Sequence, residues 1–205
     1  MTLISQLQAD NHYNLLSTED INNLEVISFE GEILYIDSDE KLKNIKLPND
    51  ELVGFDTETK PSFKKNIKNH LSLIQIATEN KAFLFHLKQI KDKSIIIKYL
   101  NNPEITKIGA GIADDIKKIN EISNIEILKN SFVDLQFIAK QMNLPRTNLR
   151  FLSAYFLNKR IIKSSQTSNW DKHPLSPKQM LYAATDAWIC LKIYKIILKT
   201  KTKDY

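Results

Sequence analysis

The chain has 205 residues, of which 42% are hydrophobic and 26% are charged, and these proportions suit one well-packed domain. A single cysteine, Cys190, excludes an intrachain disulfide framework and a cysteine-based zinc site, and it indicates a reducing cytoplasm. The N-terminus lacks the basic and apolar regions of a secretory signal, and no apolar run approaches the length of a membrane span.

The net charge of +5 is unevenly distributed along the chain. Residues 1–50 contain three lysines against ten acidic residues, whereas residues 51–205 contain 26 basic against 14 acidic residues. A basic body suits a polyanionic partner, because each neutralised phosphate releases counterions. The lysine-rich composition could also scatter such charges over any surface, so charge alone indicates nucleic-acid binding only weakly.

The order of the predicted elements indicates an N-terminal extension, residues 1–30, followed by one domain, residues 31–205. In the extension, the sequence Ser17-Thr18-Glu19-Asp20 is typical of a helix start. Strands are predicted at 33–36, 52–55, 71–77, 82–87, 105–108 and 131–133. Helices are predicted at 38–43, 94–100, 112–122, 135–142, 149–157 and from Pro177 to about Lys199. Three early strands, followed by strands that alternate with helices, predict an α/β domain with a mixed sheet.

Two carboxylates stand at the end of the second predicted strand, within Val53–Thr59, whose sequence is VGFDTET. Residues two apart on an extended strand point to the same side, so Asp56 and Glu58 are expected to project together. Adjacent carboxylates repel each other unless a cation compensates them, and Mg²⁺ or Mn²⁺ suits such oxygen ligands. The pair predicts a metal site, with a strand that leaves the core into solvent as the alternative.

A second candidate group lies in the long C-terminal helix, where Tyr182 and Asp186 are four residues apart and share a face. The residues around them are mostly small and apolar, and an acid in such surroundings is costly to ionise. A metal ion shared with Asp56 would compensate that charge, and the Tyr182 hydroxyl could reach a water beside it. A hydrogen bond between Tyr182 and Asp186 within the core is the alternative.

The third candidate segment is Lys107–Asp115, in which Gly109 and Gly111 end a strand and open a helix. Glycines at such a junction allow the backbone to approach a ligand closely. Helical phase places Asp115 on the inward face marked by isoleucines 112, 116 and 119, and it places Asp114 towards water. Either acid could instead favour the helix N-terminus through the helix dipole.

The segments GFDTET, GAGIADD and YAATDA occur in an order and at a spacing that resemble exonuclease motifs I, II and III of the DEDD superfamily. A tyrosine four residues before the last aspartate is similar to the tyrosine branch, and within it to the Werner-type and ribonuclease D-type 3′→5′ exonuclease domains. The run Ser168–Trp170, then Leu175–Pro177, then YAATDA, particularly resembles the Werner-type domain. The likeness covers about residues 30–198.

This resemblance implies a ribonuclease H-like fold, with a mixed central sheet flanked by helices. It implies a 3′→5′ exonuclease that hydrolyses phosphodiester bonds at DNA or RNA 3′ ends and releases nucleoside 5′-monophosphates by a two-metal mechanism. Asp56, Glu58 and Asp186 would hold one divalent ion, Mg²⁺ or Mn²⁺. Asp56 would also hold a second ion, which Asp115 would support, and Tyr182 would orient the attacking water.

Contacts to nucleic acid are predicted in the basic, irregular stretch around Trp170. Lys163 would contact a phosphate and Trp170 would stack on a base, while Gly109 and Gly111 would let the backbone approach the strand. A solvated basic loop, with Trp170 packed on the core as a lid, is the alternative.

A non-catalytic nucleic-acid-binding module on the same fold is the competing function. Such a module would be expected to lose at least one acid, and all four are present here. No partner protein and no membrane association are predicted. The preference for DNA or RNA, the strandedness of the substrate, the oligomeric state and the role of the acidic N-terminal segment are not encoded in these motifs.

Overall fold

The computed structural model describes residues 16–60, 70–123, 125–162 and 165–201. At its centre lies a six-stranded sheet with the strand order β1-β4-β3-β2-β5-β6. The strands are β1 (Glu32–Ile36), β2 (Leu52–Thr59), β3 (Leu71–Ala77), β4 (Lys81–His86), β5 (Thr106–Gly109) and β6 (Phe132–Asp134). Strand β3 is antiparallel to both β2 and β4, whereas the β1–β4, β2–β5 and β5–β6 pairs are parallel. The predicted mixed sheet is therefore confirmed.

The helices in the described residues are α1 (Thr18–Asn23), α2 (Asp39–Asn44), α3 (Ser94–Leu100), α4 (Ala113–Ile122), α5 (Leu135–Gln141), α6 (Leu149–Leu157) and α7 (Pro177–Lys201). Side chains cap several of them, as at Ser38 and Asn148, which accept hydrogen bonds from first-turn amides. The main difference from the prediction is β2, which continues through both carboxylates to Thr59. Within the part of the chain that the structure describes, no helix is long and apolar enough to cross a membrane.

Helices cover both faces of the sheet. On one face, Val53 and Phe55 of β2 pack against buried isoleucines of α3 and α4. On the other face, α7 contacts β2, β3, β4 and β5, and α5 and α6 pack beside it around Leu152 and Leu191. All of the β3 residues and most of the β2 residues are buried because both faces of these strands are covered, and the apolar surface so removed from water stabilises the domain.

Helix α7 approaches β2 closely because Gly54 of β2 faces small residues of α7. Ala183, Ala184 and Ala187 of α7 are fully buried against the sheet. A Cβ atom added at Gly54 would lie closer than 3.0 Å to the carbonyl oxygen of Ala187, which real Cβ atoms essentially never do. The absence of a side chain at Gly54 therefore sets the distance between the sheet and the helix that carries Tyr182 and Asp186.

The described part of the N-terminal segment packs on the domain. Helix α1 begins at Ser17, whose side chain and that of Asp20 form a reciprocal capping box. Beyond α1, the Ile27 amide donates to the Arg160 carbonyl over 2.9 Å, and the Phe29 amide donates to Thr185 Oγ1 over 3.1 Å. The boundary at residue 30 stays a prediction, but residues 16–29 contribute to the same core as α7.

Candidate active site

The C-terminal half of β2 carries the first pair of carboxylates. Alternation places Asp56 and Glu58 on the face covered by α7, and it places Thr57 on the opposite face. Across the antiparallel pair, Asp56 lies opposite Gln75 and Glu58 lies opposite Leu73. Pairing with β3 continues to Thr59, whereas pairing with β5 ends at Gly54. Among the described residues, the two acids therefore occupy a stretch of strand that is paired on one side only.

Helix α7 supplies two further predicted residues, Tyr182 and Asp186. Asp186 is only 7% exposed, and a hydrogen bond joins it to Tyr182. Burial raises the pKa of the Tyr182 hydroxyl, and the negative charges of Asp186 and Glu58 raise it further. This tyrosine therefore stays protonated at neutral pH, and it is suited to holding a water or a phosphate oxygen but not to acting as a base.

Three carboxylates from the two elements converge. One oxygen each from Asp56, Glu58 and Asp186 can be chosen so that all lie within 4.8 Å of one another. Burial raises the pKa of Glu58 to about 10, and the charges of Asp56 and Asp186 add to the shift. Burial and the neighbouring acids also raise the pKa of Asp56 well above its usual range. Mutual repulsion on this scale is relieved by a shared cation, and carboxylate oxygens are the ligands that Mg²⁺ and Mn²⁺ prefer. The cluster is therefore a candidate metal site.

The structure distinguishes the two adjacent aspartates of α4 as their helical phase predicts. Asp114 is exposed, whereas Asp115 is half-buried and accepts a hydrogen bond from Thr57 Oγ1. Burial raises the pKa of Asp115, while the Thr57 hydroxyl and the charge of Lys118 oppose that shift. Asp115 lies outside the tight group of three acids, yet its charge raises the pKa of both Asp56 and Glu58. It therefore belongs to the same electrostatic site.

The two glycines of the third segment are explained by packing. A Cβ at Gly109 would lie 2.9 Å from the Phe55 carbonyl oxygen and would overlap the Ile112 side chain. Gly111 has a φ of +81°, which strains residues other than glycine, and its amide donates to Asp134 Oδ1 over 2.8 Å. These features let α4 begin directly after β5 with Asp115 turned towards β2. A contact between these glycines and nucleic acid stays a prediction.

The prediction that Trp170 stacks on a base is wrong for this structure. Its side chain is 0% exposed and packs with Leu73 and Leu84 in the core under α7. Its ring centroid lies 5.9 Å from that of Tyr182, so Trp170 supports the tyrosine from below the surface. The alternative, a tryptophan packed on the core, is what the fold shows. Lys163 lies outside the described residues.

Three further residues shape the site, and the sequence pattern did not single out two of them, Gly54 and Thr57, for it. Gly54 admits α7, and Thr57 holds Asp115. Gln75 lies opposite Asp56, is fully buried, and has no hydrogen-bond partner for either amide atom among the described residues. A glycine inside an apolar strand is a recognisable signal of close backbone approach. The contact between Thr57 and Asp115 has no such signal, because it joins residues 58 positions apart.

A mixed sheet flanked by helices, with acids gathered at one strand and a tyrosine one turn before the last acid, defines a ribonuclease H-like nuclease domain. The sequence matches the 3′-5′ exonuclease family over residues 33–201, and the chain belongs to that family of hydrolases, which act on phosphodiester bonds.

Two relatives illustrate the extent of the similarity. The bifunctional 3′-5′ exonuclease/ATP-dependent helicase WRN of Mus musculus is 32% identical over 186 residues, which make up 85% of this chain and 13% of that protein. Ribonuclease D of Haemophilus influenzae is 31% identical over 134 residues, which make up 65% of this chain and 33% of that enzyme. The chain thus spans a third or less of the length of these relatives.

Solved structures share the fold at lower identity. The Aedes aegypti Nibbler EXO domain superposes with a TM-score of 0.77 at 24% identity, covering 87% of this chain and 94% of that one. Escherichia coli RNase D gives a TM-score of 0.70 at 21% identity, covering 84% of this chain and 46% of that one. Brucella melitensis NrnC with bound Mg²⁺ gives 0.63 at 19% identity, covering 87% and 84%. The fold is therefore that of ribonuclease H-like exonucleases.

Proposed function

We propose that this chain is a metal-dependent exonuclease that removes nucleotides from the 3′ ends of DNA or RNA and releases nucleoside 5′-monophosphates by a two-metal mechanism. The observation that carries this proposal is the convergence of Asp56, Glu58 and Asp186, whose oxygens lie within 4.8 Å of one another in a family of 3′-5′ exonucleases. Three acids kept this close are costly to ionise without a cation.

In this proposal the acids would hold two divalent ions, Mg²⁺ or Mn²⁺. Asp56, Glu58 and Asp186 would hold one ion, and Asp56 would share a second ion that Asp115 supports. When bound, the ions would supply Lewis acidity. This acidity would activate a water for an in-line displacement and would neutralise charge on the leaving 3′-oxygen. The Thr57 hydroxyl donates a hydrogen bond to Asp115 and holds that side chain in place.

Tyr182 has the role of orienting the attacking water. Its raised pKa keeps the hydroxyl protonated, so it donates or accepts a hydrogen bond but does not remove a proton. The hydrogen bond to Asp186 and the packing against Trp170 fix the direction of the ring. A group that positions a reactant in this way contributes by reducing the entropy lost in reaching the transition state.

The basic composition of residues 51–205 supports a nucleic-acid substrate but does not separate DNA from RNA. A location in the cytoplasm remains a proposal. The competing function, a binding module without catalysis, would have no need to keep four electrostatically coupled acids in a buried site. The cost in free energy that the raised pKa values of Asp56, Glu58 and Asp115 represent therefore favours the enzyme.

The decisive experiment is a panel of end-labelled single- and double-stranded DNA and RNA, incubated with Mn²⁺, with Mg²⁺ and with EDTA. The proposal expects shortening from the 3′ end, mononucleotide products and complete inhibition by EDTA. Asp56→Ala is the matched control, and it should reduce the rate by at least about 10³-fold. Binding without cleavage under every metal condition would instead identify a binding module.

A further inference from the structure

An apolar groove of about 300 Å³ opens beside Tyr182. One wall is a face of α7, made by Lys178, Leu181, Tyr182 and Thr185, which recur at helical spacing. The opposite wall is formed by residues 26–28 together with Ile162. The groove and the acid cluster therefore share a residue, because Tyr182 lines the first and is hydrogen-bonded to Asp186 in the second.

Hydrogen bonds hold the second wall together and tie it to α7. The Arg160 amide donates to the Glu25 carbonyl over 3.0 Å, and the Ile27 amide donates back to Arg160 over 2.9 Å. Thr185 Oγ1 accepts from the Phe29 amide and donates to the Leu181 carbonyl over 2.7 Å. The segment that follows α1 is thus tied to α7 at the floor of the groove. A preformed groove of this kind binds a ligand with little loss of conformational entropy.

Three apolar residues of the groove have exposed side chains. Val26 is 36% exposed, Leu181 39% and Ile162 50%. Among the described residues, these are three of the seven large hydrophobic side chains with such exposure. Their convergence in one groove, rather than scatter over the surface, is the pattern of a binding site.

We propose that this groove binds a nucleobase of the strand that is being degraded, an inference that rests on the proposed function. Tyr182 lines the groove and borders the acid cluster, so a strand whose 3′ end lies at that cluster can place a base in the groove. A volume of about 300 Å³ accommodates a base with part of its sugar. Lys178 stands on the rim, where its ammonium group matches the charge of a backbone phosphate.

The chemistry of the walls defines what the groove recognises. Leu181, Ile162 and Val26 offer apolar surface to the face of a base, and every base has such a face. The Thr185 hydroxyl at the floor is engaged by the Phe29 amide and the Leu181 carbonyl, so it offers little base-specific hydrogen bonding. The groove therefore anchors the strand without strong sequence preference. Its loss should raise KM, while kcat, which depends on the acids and Tyr182, should change little.

The first test compares Leu181→Ala with Leu128→Ala. Leu128 is 51% exposed and lies outside the groove, so its truncation is a matched control. On a single-stranded oligonucleotide with Mn²⁺, Leu181→Ala should raise KM about tenfold, within the range expected for loss of stacking on one base. Leu128→Ala should leave KM and kcat within about twofold of the wild-type values. Both variants should melt close to the wild-type temperature. Equal KM values for the two variants would overturn the proposal.

The second test is a double-mutant cycle that combines a substitution in the protein with the removal of a base from the substrate. Oligonucleotides with one abasic site at the first, second or third nucleotide from the 3′ end are digested by wild type and by Leu181→Ala. If a base occupies the groove, one position should raise the wild-type KM severalfold, and the same change should have little effect in the variant. Additive effects at all three positions contradict base binding. An inactive wild-type enzyme would instead refute the proposed function, so the two failures are distinct.

Discussion

Gly54 of β2 and Ala187 of α7 are in direct backbone contact, and that contact determines the spacing of the candidate active site. A Cβ atom at position 54 would collide with the Ala187 carbonyl group and would lie 3.3 Å from the Trp188 amide nitrogen. Asp186 precedes Ala187, and Asp56 follows Gly54 by two residues on the same face. The distance between Asp56 and Asp186 therefore depends on Gly54, a residue that takes no part in the chemistry.

Gly54→Ala should reduce both stability and activity. The added methyl group must displace α7, and overpacking of this kind typically costs about 1–3 kcal/mol. Since about 1 kcal/mol moves the melting temperature of a domain of this size by about 2–4 °C, a fall of several degrees is expected. The rate per folded molecule should fall at least tenfold, because misplacing a reacting group by about 1 Å can cost about 10² in rate.

Val53→Ala is the matched control for that change. Val53 is the neighbour of Gly54, is fully buried, and points to the face that α3 and α4 cover. Its truncation leaves a cavity and lowers stability by a similar amount, but it does not move α7. Thermal melting and kcat measured on both variants separate the two effects. A Gly54→Ala enzyme with a normal rate per folded molecule would show that the spacing of α7 is not critical.

The raised pKa of Glu58 predicts a pH dependence of stability in the metal-free protein. Its pKa is about 10 in the fold against an ordinary value of 4.5, because of burial and the neighbouring acids. The folded state therefore binds the proton more tightly, and this contribution is full below about pH 4.5 and is lost as the pH rises towards 10. Glu58→Gln should accordingly melt higher than wild type at pH 8 in EDTA, and the gain should shrink towards pH 5.

Divalent metal should reverse the order of the melting temperatures of wild type and Glu58→Gln. Saturating Mn²⁺ at pH 8 binds only the folded state, so it should raise the melting temperature of wild type. It should raise that of Glu58→Gln much less, because one charged ligand is missing. Thermal melting of wild type and Glu58→Gln at pH 5 and pH 8, with EDTA or Mn²⁺, checks the sign of the difference in melting temperature in all four conditions. A wild type that melts higher at pH 8 than Glu58→Gln without metal would contradict the assignment.

The two adjacent aspartates of α4 should differ sharply in function. Asp115→Asn removes a charge that couples to Asp56 and Glu58, and the rate should fall at least about 10²-fold. Asp114→Asn makes the same change on an exposed side chain, and the rate should stay within about twofold. Steady-state rates with saturating Mn²⁺ decide between the residues. The opposite pattern would place the functional acid at Asp114.

The periodic parts of this site were accessible from the sequence. Alternation along a strand placed Asp56 and Glu58 together, and helical spacing placed Tyr182 beside Asp186. The phase of the α4 isoleucines separated Asp115 from Asp114. All three inferences use only local geometry, which the backbone enforces whatever the remainder of the chain does.

The parts that depend on tertiary packing were not accessible. Trp170 lies in a polar, irregular stretch, and nothing local indicates that its ring is drawn fully under α7. The tie between Phe29 and Thr185 joins residues 156 positions apart, so the groove beside Tyr182 has no signature in sequence. The strand β2 continues to Thr59 because β3 pairs with it there, which short apolar runs do not reveal.

Tyr182→Phe is the sharpest test of how the attacking water is positioned. The substitution keeps the ring, its contact with Trp170 and its place in the groove, and it removes only the hydroxyl that is bonded to Asp186. A hydrogen bond that orients a nucleophile is worth a few kcal/mol at most, so kcat should fall by about 10²–10³-fold. Because the ring still lines the groove, KM for an oligonucleotide should change little.

Tyr99→Phe provides the control for loss of a buried hydroxyl. The Tyr99 oxygen is buried in α3 and has no hydrogen-bond partner among the described residues, so its removal should alter neither rate nor melting temperature appreciably. If the Tyr182 hydroxyl served only to satisfy Asp186, its removal would lower the melting temperature, because a buried partner is left unpaired, and kcat per folded molecule would not change. If it orients the water, kcat falls while melting and binding stay near wild type. Measuring kcat, KM and thermal melting on the two variants therefore distinguishes a catalytic hydroxyl from a structural one, and a stable, fully active Tyr182→Phe enzyme would remove the tyrosine from the mechanism.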